Sequence, residues 1–114
     1  KASLAYGRGK IINAAALYNT LALDGVWLDF RDPDGCREET LYVKTMGFKG
    51  RFAIHPDQIK PIHDAYRPTT EELEWAKGVL EEAKTAGSGA FKYQGKMVDA
   101  PVLAVARLII SRED

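Results

Sequence analysis

The sequence predicts an α/β fold with parallel strands, and three observations support that prediction. Two short apolar stretches, residues 26–28 and 51–54, are typical of strands that are covered on both faces. A helical pattern lies between them, so strand, helix and strand follow one another within about thirty residues. A polar segment follows each apolar stretch, and ligands of parallel α/β folds bind at that end of the strands.

Composition limits the class of protein. The chain has 114 residues, the length of about one domain, and its 46% hydrophobic and 28% charged residues are typical of a globular protein. Sixteen basic and sixteen acidic residues cancel, so we expect neither nucleic acid nor a membrane surface as a partner. No signal peptide or membrane span is apparent, and the single Cys36 excludes an internal disulfide. We therefore expect a cytoplasmic location.

The helices before and between the two strands have recognisable ends. Apolar residues at helical spacing, with a high alanine content, predict a first helix over about residues 10–23. Asp34 is the predicted N-cap of a second helix over about residues 35–46. Gly47 should end that helix in the left-handed conformation, with Phe48 packing back on the last turn.

The second half of the chain predicts more helices and a hairpin. Residues 56–66 should form a helix or helical turn, and Thr69 with Glu72 forms a capping box for the next helix. A glycine-rich break is followed by a possible hairpin over residues 90–98, with its turn near Gln94 and Gly95. The final helix, about residues 101–110, is apolar on nearly every side, so we expect it to be buried, either within the protein or against another chain.

Two parallel strands do not make a stable sheet alone, because both edges stay open. Parallel sheets occur almost only with more strands and with helices on both faces. The sequence therefore predicts that this chain is the C-terminal part of a larger α/β protein.

Few residues are candidates for chemistry. Asp29 follows the first strand, and we leave a loop-capping role and a binding role equally open. For His55, before Pro56, we favour a rigid joint between strand and helix over catalysis. For Asp99 we favour an N-cap of the final helix. His55 and His63 match no metal-binding spacing.

Five motifs in order resemble the C-terminal half of the citrate lyase beta subunit and malyl-CoA lyase family. They are residues 23–29, 47–50, 54–59, 68–72 with Trp75 and Ala76, and 95–101. The resemblance implies the C-terminal portion of a TIM (β/α)8 barrel with a helical C-terminal extension, or lid. Residues 1–86 would be the last strands and helices of the barrel, and residues 87–114 the lid or oligomerisation extension.

The resemblance also implies an activity. Family members cleave or form carbon–carbon bonds in acyl-CoA thioesters such as malyl-CoA, citramalyl-CoA or citryl-CoA, with Mg²⁺ stabilising the enolate. The family's metal-binding carboxylates and substrate-binding arginine lie upstream of the matching region, so we expect no metal ligand here and no activity from this segment alone. The implied partners are a coenzyme A thioester and further copies of the chain, in a trimer or hexamer.

The resemblance assigns roles to individual residues. Ile54, His55 and Pro56 match the turn that lies along the coenzyme A, and Asp29 would line the same pocket. Asp99 matches an extension aspartate that reaches a neighbouring subunit's active site and exchanges a proton with the methyl group of acetyl-CoA. An aspartate at a helix start can both cap and act, so the two interpretations of Asp99 coexist.

Three alternatives remain open at this point. One is an aldolase of the same superfamily that acts on free pyruvate aldols, although that branch generally lacks the extension motif. Another is a malyl-CoA thioesterase, which would share these residues. The third is a noncatalytic scaffold or partner-binding subunit that keeps the fold without the metal ligands.

Overall fold

The computed structural model describes residues 2–87 and 89–113, which belong to two compact units. Unit 1 extends to Tyr66, and unit 2 begins at Arg67. Ser88, in the predicted glycine-rich break, lies outside the described residues. Each unit is described by itself.

Unit 1 contains the predicted strand–helix–strand arrangement. Its elements are a 3-10 turn (Ala2–Leu4), α1 (Ala5–Leu17), β1 (Leu23–Asp24), α2 (Pro33–Met46), β2 (Gly50–Arg51), a second 3-10 turn (Pro56–Gln58) and α3 (Ile59–Tyr66). Strands β1 and β2 are parallel, with Leu23 opposite Gly50 and Asp24 opposite Arg51. The predicted α/β unit with parallel strands is therefore confirmed.

Both strands lie nearer the N-terminus than predicted. The stretch 26–28 follows β1 instead of forming it, and Leu28 is 78% exposed. Beyond β2, Phe52 is 59% and Ile54 54% exposed. The prediction was wrong because a run of apolar residues indicates which side chains are favourable to bury, whereas a strand is defined by hydrogen bonds between backbones. Among the described residues, that pairing lasts for two residues of each strand.

Helix α1 also lies earlier than the predicted 10–23. It starts at Ala5 and ends at Leu17. Asn19, with a φ of 51°, takes the left-handed conformation that ends a helix. The apolar residues after it therefore belong to the connection to β1.

Helix α2 begins earlier than predicted and ends where predicted. Asp32, and not Asp34, is the N-cap, and its side chain accepts a 3.0 Å hydrogen bond from the backbone of Gly35. The reason is Pro33, whose fixed φ suits the first turn of a helix. At the other end Gly47 has a φ of 118°, and the N–H of Phe48 bonds back to the carbonyl of Val43, which confirms the predicted helix stop.

The apolar core of unit 1 has two parts. Ala22, Val43 and Phe48 form one, and Cys36, Ile62 and Tyr66 form the other. The Tyr66 hydroxyl donates a 2.7 Å hydrogen bond to the Phe48 carbonyl, which joins α3 to the start of β2. Burial raises the pKa of the Cys36 thiol, in accord with a packing role.

Four charged side chains meet beneath the sheet, and we call them the four-charge network: Arg8 of α1, Asp24 of β1, Glu39 of α2 and Arg51 of β2. Arg8 Nη2 lies 2.9 Å from Asp24 Oδ2, and Arg51 Nη2 lies 3.0 Å from Glu39 Oε2 and 3.3 Å from Asp24 Oδ2. The side chain of Arg51 is 1% exposed and that of Asp24 is 8% exposed. Each element of the strand–helix–strand unit thus contributes one charge to a single buried group.

The charges in this network balance. Burial acts to lower the pKa of the Arg8 guanidinium, but the hydrogen bond and charge of Asp24, with the charge of Glu39, outweigh it and raise that pKa. Arg51 also donates from Nε to the carbonyl of Gly25 at 3.1 Å. The network therefore pairs each charge with an opposite one and holds the backbone just past β1.

Unit 2 consists of α4 (Thr70–Ala86), β3 (Phe91–Tyr93), β4 (Lys96–Val98) and α5 (Ala100–Ser111). The Thr69–Glu72 capping box is confirmed. The hairpin is confirmed as well, since β3 and β4 are antiparallel and Gln94 and Gly95 have φ values of 50° and 78° at the turn. Helix α4, which we assigned to the barrel part, packs here against the hairpin and α5.

Helix α5 is only partly buried within unit 2. Of its residues only Ala106 is fully buried, while Val105 is 51% and Leu108 is 37% exposed. Within unit 2, α4 and the hairpin cover one side of α5. The all-round apolar pattern therefore predicted more cover than this unit supplies.

We expect Asp24→Asn to lower the free energy of unfolding by about 3 kcal/mol, because it leaves two buried guanidinium groups with one carboxylate. Urea unfolding of the protein measures this loss. Glu81→Gln is the matched control, since it breaks an exposed pair with Lys84 and should cost less than about 0.5 kcal/mol. Equal losses in the two variants would show that the four-charge network contributes nothing special.

Candidate functional site

The segments that follow β1 and β2 lie side by side, and we call them the rim: residues 26–31 and 52–57. The rings of Phe30 and His55 stack across it, with centroids 4.7 Å apart and an interplanar angle of 14°. Each strand end therefore contributes one aromatic ring to a shared contact. The sequence-based expectation that both polar segments meet at one edge of the sheet is confirmed.

Gln58 ties the two rim segments together from below. Its Oε1 accepts a 2.9 Å hydrogen bond from the N–H of Ile54, and its Nε2 donates a 2.7 Å hydrogen bond to the carbonyl of Trp27. The residue is 1% exposed. One buried amide thus satisfies a backbone donor on one segment and a backbone acceptor on the other.

His55 forms the joint that we predicted. Its Nδ1 accepts a 3.1 Å hydrogen bond from the N–H of Asp57 and so caps the 3-10 turn Pro56–Gln58. An accepting Nδ1 carries a lone pair, which places the proton of the neutral ring on Nε2. Pro56 fixes the start of the turn and has no N–H to donate. The side chain of His55 is 37% exposed, so the Nε2–H edge of its ring is available to a ligand.

Asp29 caps its own loop and borders a groove, and its binding role stays a prediction. Its Oδ1 accepts a 3.1 Å hydrogen bond from the N–H of Arg31, so the carboxylate caps its own loop. It also lines a groove of about 330 Å³ in unit 1. The other residues lining that groove are Leu4, Arg8, Val26, Trp27, Leu28 and Glu39. Asp29 thus stabilises the loop and remains exposed at a concave surface.

A cation lies on the rim beside the stacked rings. The guanidinium carbon of Arg31 is 5.2 Å from the centroid of the Phe30 ring, a cation–π distance. Because Phe30 stacks on His55, the three side chains form one continuous surface of planar groups. Such a surface suits a ligand that carries both flat and anionic groups.

Asp99 lies in unit 2 and caps α5. Its Oδ1 accepts a 3.3 Å hydrogen bond from the N–H of Val102, and Pro101 stands in the first turn. The capping prediction is confirmed. The side chain is exposed, and its role in proton exchange stays a prediction.

The described residues do not fit a Mg²⁺ site. Residues 2–87 and 89–113 hold no group of three or more His, Cys, Asp or Glu side chains that could bind a metal ion. The buried carboxylates Asp24 and Glu39 are already bound to arginines.

Neither the four-charge network nor the role of Gln58 was predicted from the sequence. We gave neither Asp24 nor Arg51 a role in the core. A signal was available, because Arg51 opens a short apolar stretch and a buried arginine requires a carboxylate partner. Gln58 gave no such signal, since glutamine in a polar turn is unremarkable until its partners are known.

Comparison with known proteins agrees with this architecture. A family model described as C-C bond lyase of the TIM-barrel fold matches residues 9–113. The mitochondrial citramalyl-CoA lyase of Rattus norvegicus is 38% identical over 109 residues, which are 93% of this chain and 32% of that protein. The citrate lyase subunit beta of Escherichia coli K12 is 38% identical over 114 residues, which are 97% of this chain and 38% of that protein.

A solved structure extends the match to three dimensions. The protein CitE from Mycobacterium tuberculosis, crystallised with magnesium, acetoacetate and coenzyme A, superposes with a TM-score of 0.76 and 42% identity. The match covers 92% of this chain and 39% of that one. The chain therefore spans about a third of the length of the curated relatives it matches. The resemblance to the citrate lyase beta subunit family is confirmed. This chain belongs to the carbon–carbon bond lyases of the TIM-barrel fold and corresponds to a part of such a protein.

Proposed function

We propose that this chain is the C-terminal part of a Mg²⁺-dependent lyase that cleaves a carbon–carbon bond in an acyl-CoA thioester of the malyl-CoA, citramalyl-CoA or citryl-CoA type. The observation that carries the proposal is the rim, where Phe30 and His55 stack in a chain 42% identical to a protein crystallised with magnesium and coenzyme A. Lyase names among the relatives support the reaction class.

We infer that the rim holds the coenzyme A part of the substrate. The exposed Ile54 side chain offers an apolar contact, and Nε2–H of His55 is a hydrogen-bond donor. Arg31, whose guanidinium lies over the Phe30 ring, supplies a positive charge that suits the phosphates of coenzyme A. In this proposal Pro56 shapes the wall of the pocket and Asp29 lines its neighbouring face.

We assign the proton chemistry to Asp99. The cap of α5 uses Oδ1, so the second carboxylate oxygen is left to exchange a proton with the methyl group of acetyl-CoA. We propose that this residue acts on the active site of a neighbouring subunit in a trimer or hexamer. The extension, residues 87–114, would then be a lid that serves another copy.

The remaining catalytic parts belong to other residues of the complete barrel in this proposal. One observation in unit 1 supports a larger barrel. Phe52 is apolar and 59% exposed just past β2, where further strands would cover it. The Mg²⁺ ligands and the substrate-binding arginine would lie on the upstream strands.

The site of action in the cell is also a proposal. No helix within the described ranges is both long and apolar enough to span a membrane. We retain the cytoplasm as the expected location, although the rat relative is named as mitochondrial.

The full-length protein should cleave malyl-CoA or citramalyl-CoA in the presence of Mg²⁺, and chelation of the metal should abolish the reaction. Product analysis by chromatography measures this: acetyl-CoA with glyoxylate, or acetyl-CoA with pyruvate, marks the lyase. Malate with free coenzyme A would instead identify a thioesterase. Absence of cleavage of any 3-hydroxyacyl-CoA would contradict the proposed function.

Asp99→Asn should reduce kcat by about a hundredfold or more, because it removes the proton-exchanging group. Asparagine is as good an N-cap as aspartate, so the melting temperature should barely change. Steady-state kinetics and thermal unfolding of the same preparations measure both quantities.

Thr69→Ala is the matched control for Asp99→Asn. It removes the capping side chain of α4 in the same unit, so it should destabilise the protein by about 1 kcal/mol and leave kcat unchanged. If Asp99→Asn loses rate only in step with stability, Asp99 is a cap and nothing more.

A further inference from the structure

We propose that Gln58 is a positioning residue that fixes the spacing of the two rim segments and thereby sets the affinity for the coenzyme A part of the substrate. The inference about affinity rests on the proposed function, whereas the inference about spacing rests on geometry alone. Gln58 is 1% exposed, so it acts through the residues that it holds and not by touching a ligand.

The two hydrogen bonds of Gln58 require an amide. Its Oε1 accepts from the N–H of Ile54 at 2.9 Å, and its Nε2 donates to the carbonyl of Trp27 at 2.7 Å. An ionised carboxylate can replace only the acceptor, and an apolar side chain replaces neither. Among side chains of this length, glutamine satisfies both backbone groups with a single planar head, whereas glutamate does so only when its carboxyl group is protonated.

The bridged backbone positions adjoin the residues assigned to the substrate. Ile54 directly precedes His55, and Trp27 lies two positions before Asp29 and three before Phe30. The bridge below the rim and the Phe30–His55 stack on it therefore join the same two segments at two levels. Without the bridge, the Phe30–His55 stack and the hydrogen bond from the N–H of Phe52 to the carbonyl of Asp24 still join the two strand ends, but Ile54 and Trp27 are no longer held at a fixed spacing.

This arrangement predicts a particular kinetic signature. A looser rim binds the coenzyme A part less well in the ground state and in the transition state alike, and such uniform losses raise KM while leaving kcat unchanged. A residue that merely stabilised the fold would instead lower the amount of active protein and leave KM as it was.

The test uses the full-length protein with Gln58→Leu and Gln58→Glu. We expect KM for the acyl-CoA to rise about tenfold or more in both variants, with kcat within about twofold of the wild type. Amide hydrogen exchange should accelerate in residues 26–31 and 52–57 together. Lowering the pH protonates the new carboxyl group of Gln58→Glu and restores a donor, so the KM of that variant, relative to wild type at the same pH, should fall.

Tyr66→Phe is the matched control. It deletes a buried side-chain hydrogen bond of the same 2.7 Å length, which the Tyr66 hydroxyl donates to the backbone carbonyl of Phe48, a residue outside both rim segments. We expect it to leave KM and exchange at the rim unchanged. If exchange in the two rim segments is the same in Gln58→Leu as in the wild type, or if Tyr66→Phe alters KM equally, the positioning role is overturned.

The outcomes separate this proposal from the proposed function. A wild-type protein that turns over no acyl-CoA would overturn the lyase assignment, and the exchange data would still decide whether Gln58 spaces the rim. A wild-type lyase whose KM is unaffected by Gln58→Leu would overturn the effect on affinity. Gln58→Glu keeps the size and one hydrogen bond of the native side chain, so it supplies the result if Gln58→Leu fails to fold.

Discussion

The structure of unit 1 depends on one interaction, the buried pairing of two arginines with two carboxylates beneath a sheet of two short strands. Removing an ion from water is unfavourable by several kcal/mol, so none of the four charges is tolerable in this position without the others. Each comes from a different element, namely α1, β1, α2 and β2. The network therefore specifies which elements meet, in a chain whose strands pair over only two residues each.

The four-charge network is also connected to the rim by hydrogen bonds. Arg51 bonds both to Glu39 on α2 and to the carbonyl of Gly25, and the carbonyl of Asp24 accepts a 3.2 Å hydrogen bond from the N–H of Phe52. These contacts fix the last paired residues of both strands. Just beyond them, Gln58 and the Phe30–His55 stack continue the connection to the surface where we place coenzyme A. The ion pairs of the four-charge network hold the strands, and the amide of Gln58 holds the two rim segments. Those segments carry the groups that we propose contact coenzyme A.

The elements that were predictable from sequence are those with a local cause. A left-handed glycine ends α2, a capping box starts α4, and Gln94 with Gly95 turns the hairpin, and each can be recognised from a few neighbouring residues. The strand limits were wrong because apolar residues indicate burial, whereas a strand is defined by backbone pairing, and unit 2 covers only one side of α5. At the site, the meeting of the two segments that follow the strands was predictable from topology. The partners of Gln58 and Asp24 could not be predicted, because they lie up to 31 residues away in the sequence and no local pattern indicates which residues they are.

The central claim is that the two strand ends form one surface for coenzyme A, and amide hydrogen exchange of the full-length protein with and without coenzyme A tests it most directly. We predict that coenzyme A slows exchange in residues 26–31 and 52–57 together. Saturating coenzyme A that slows exchange elsewhere and leaves both rim segments unchanged would contradict the account.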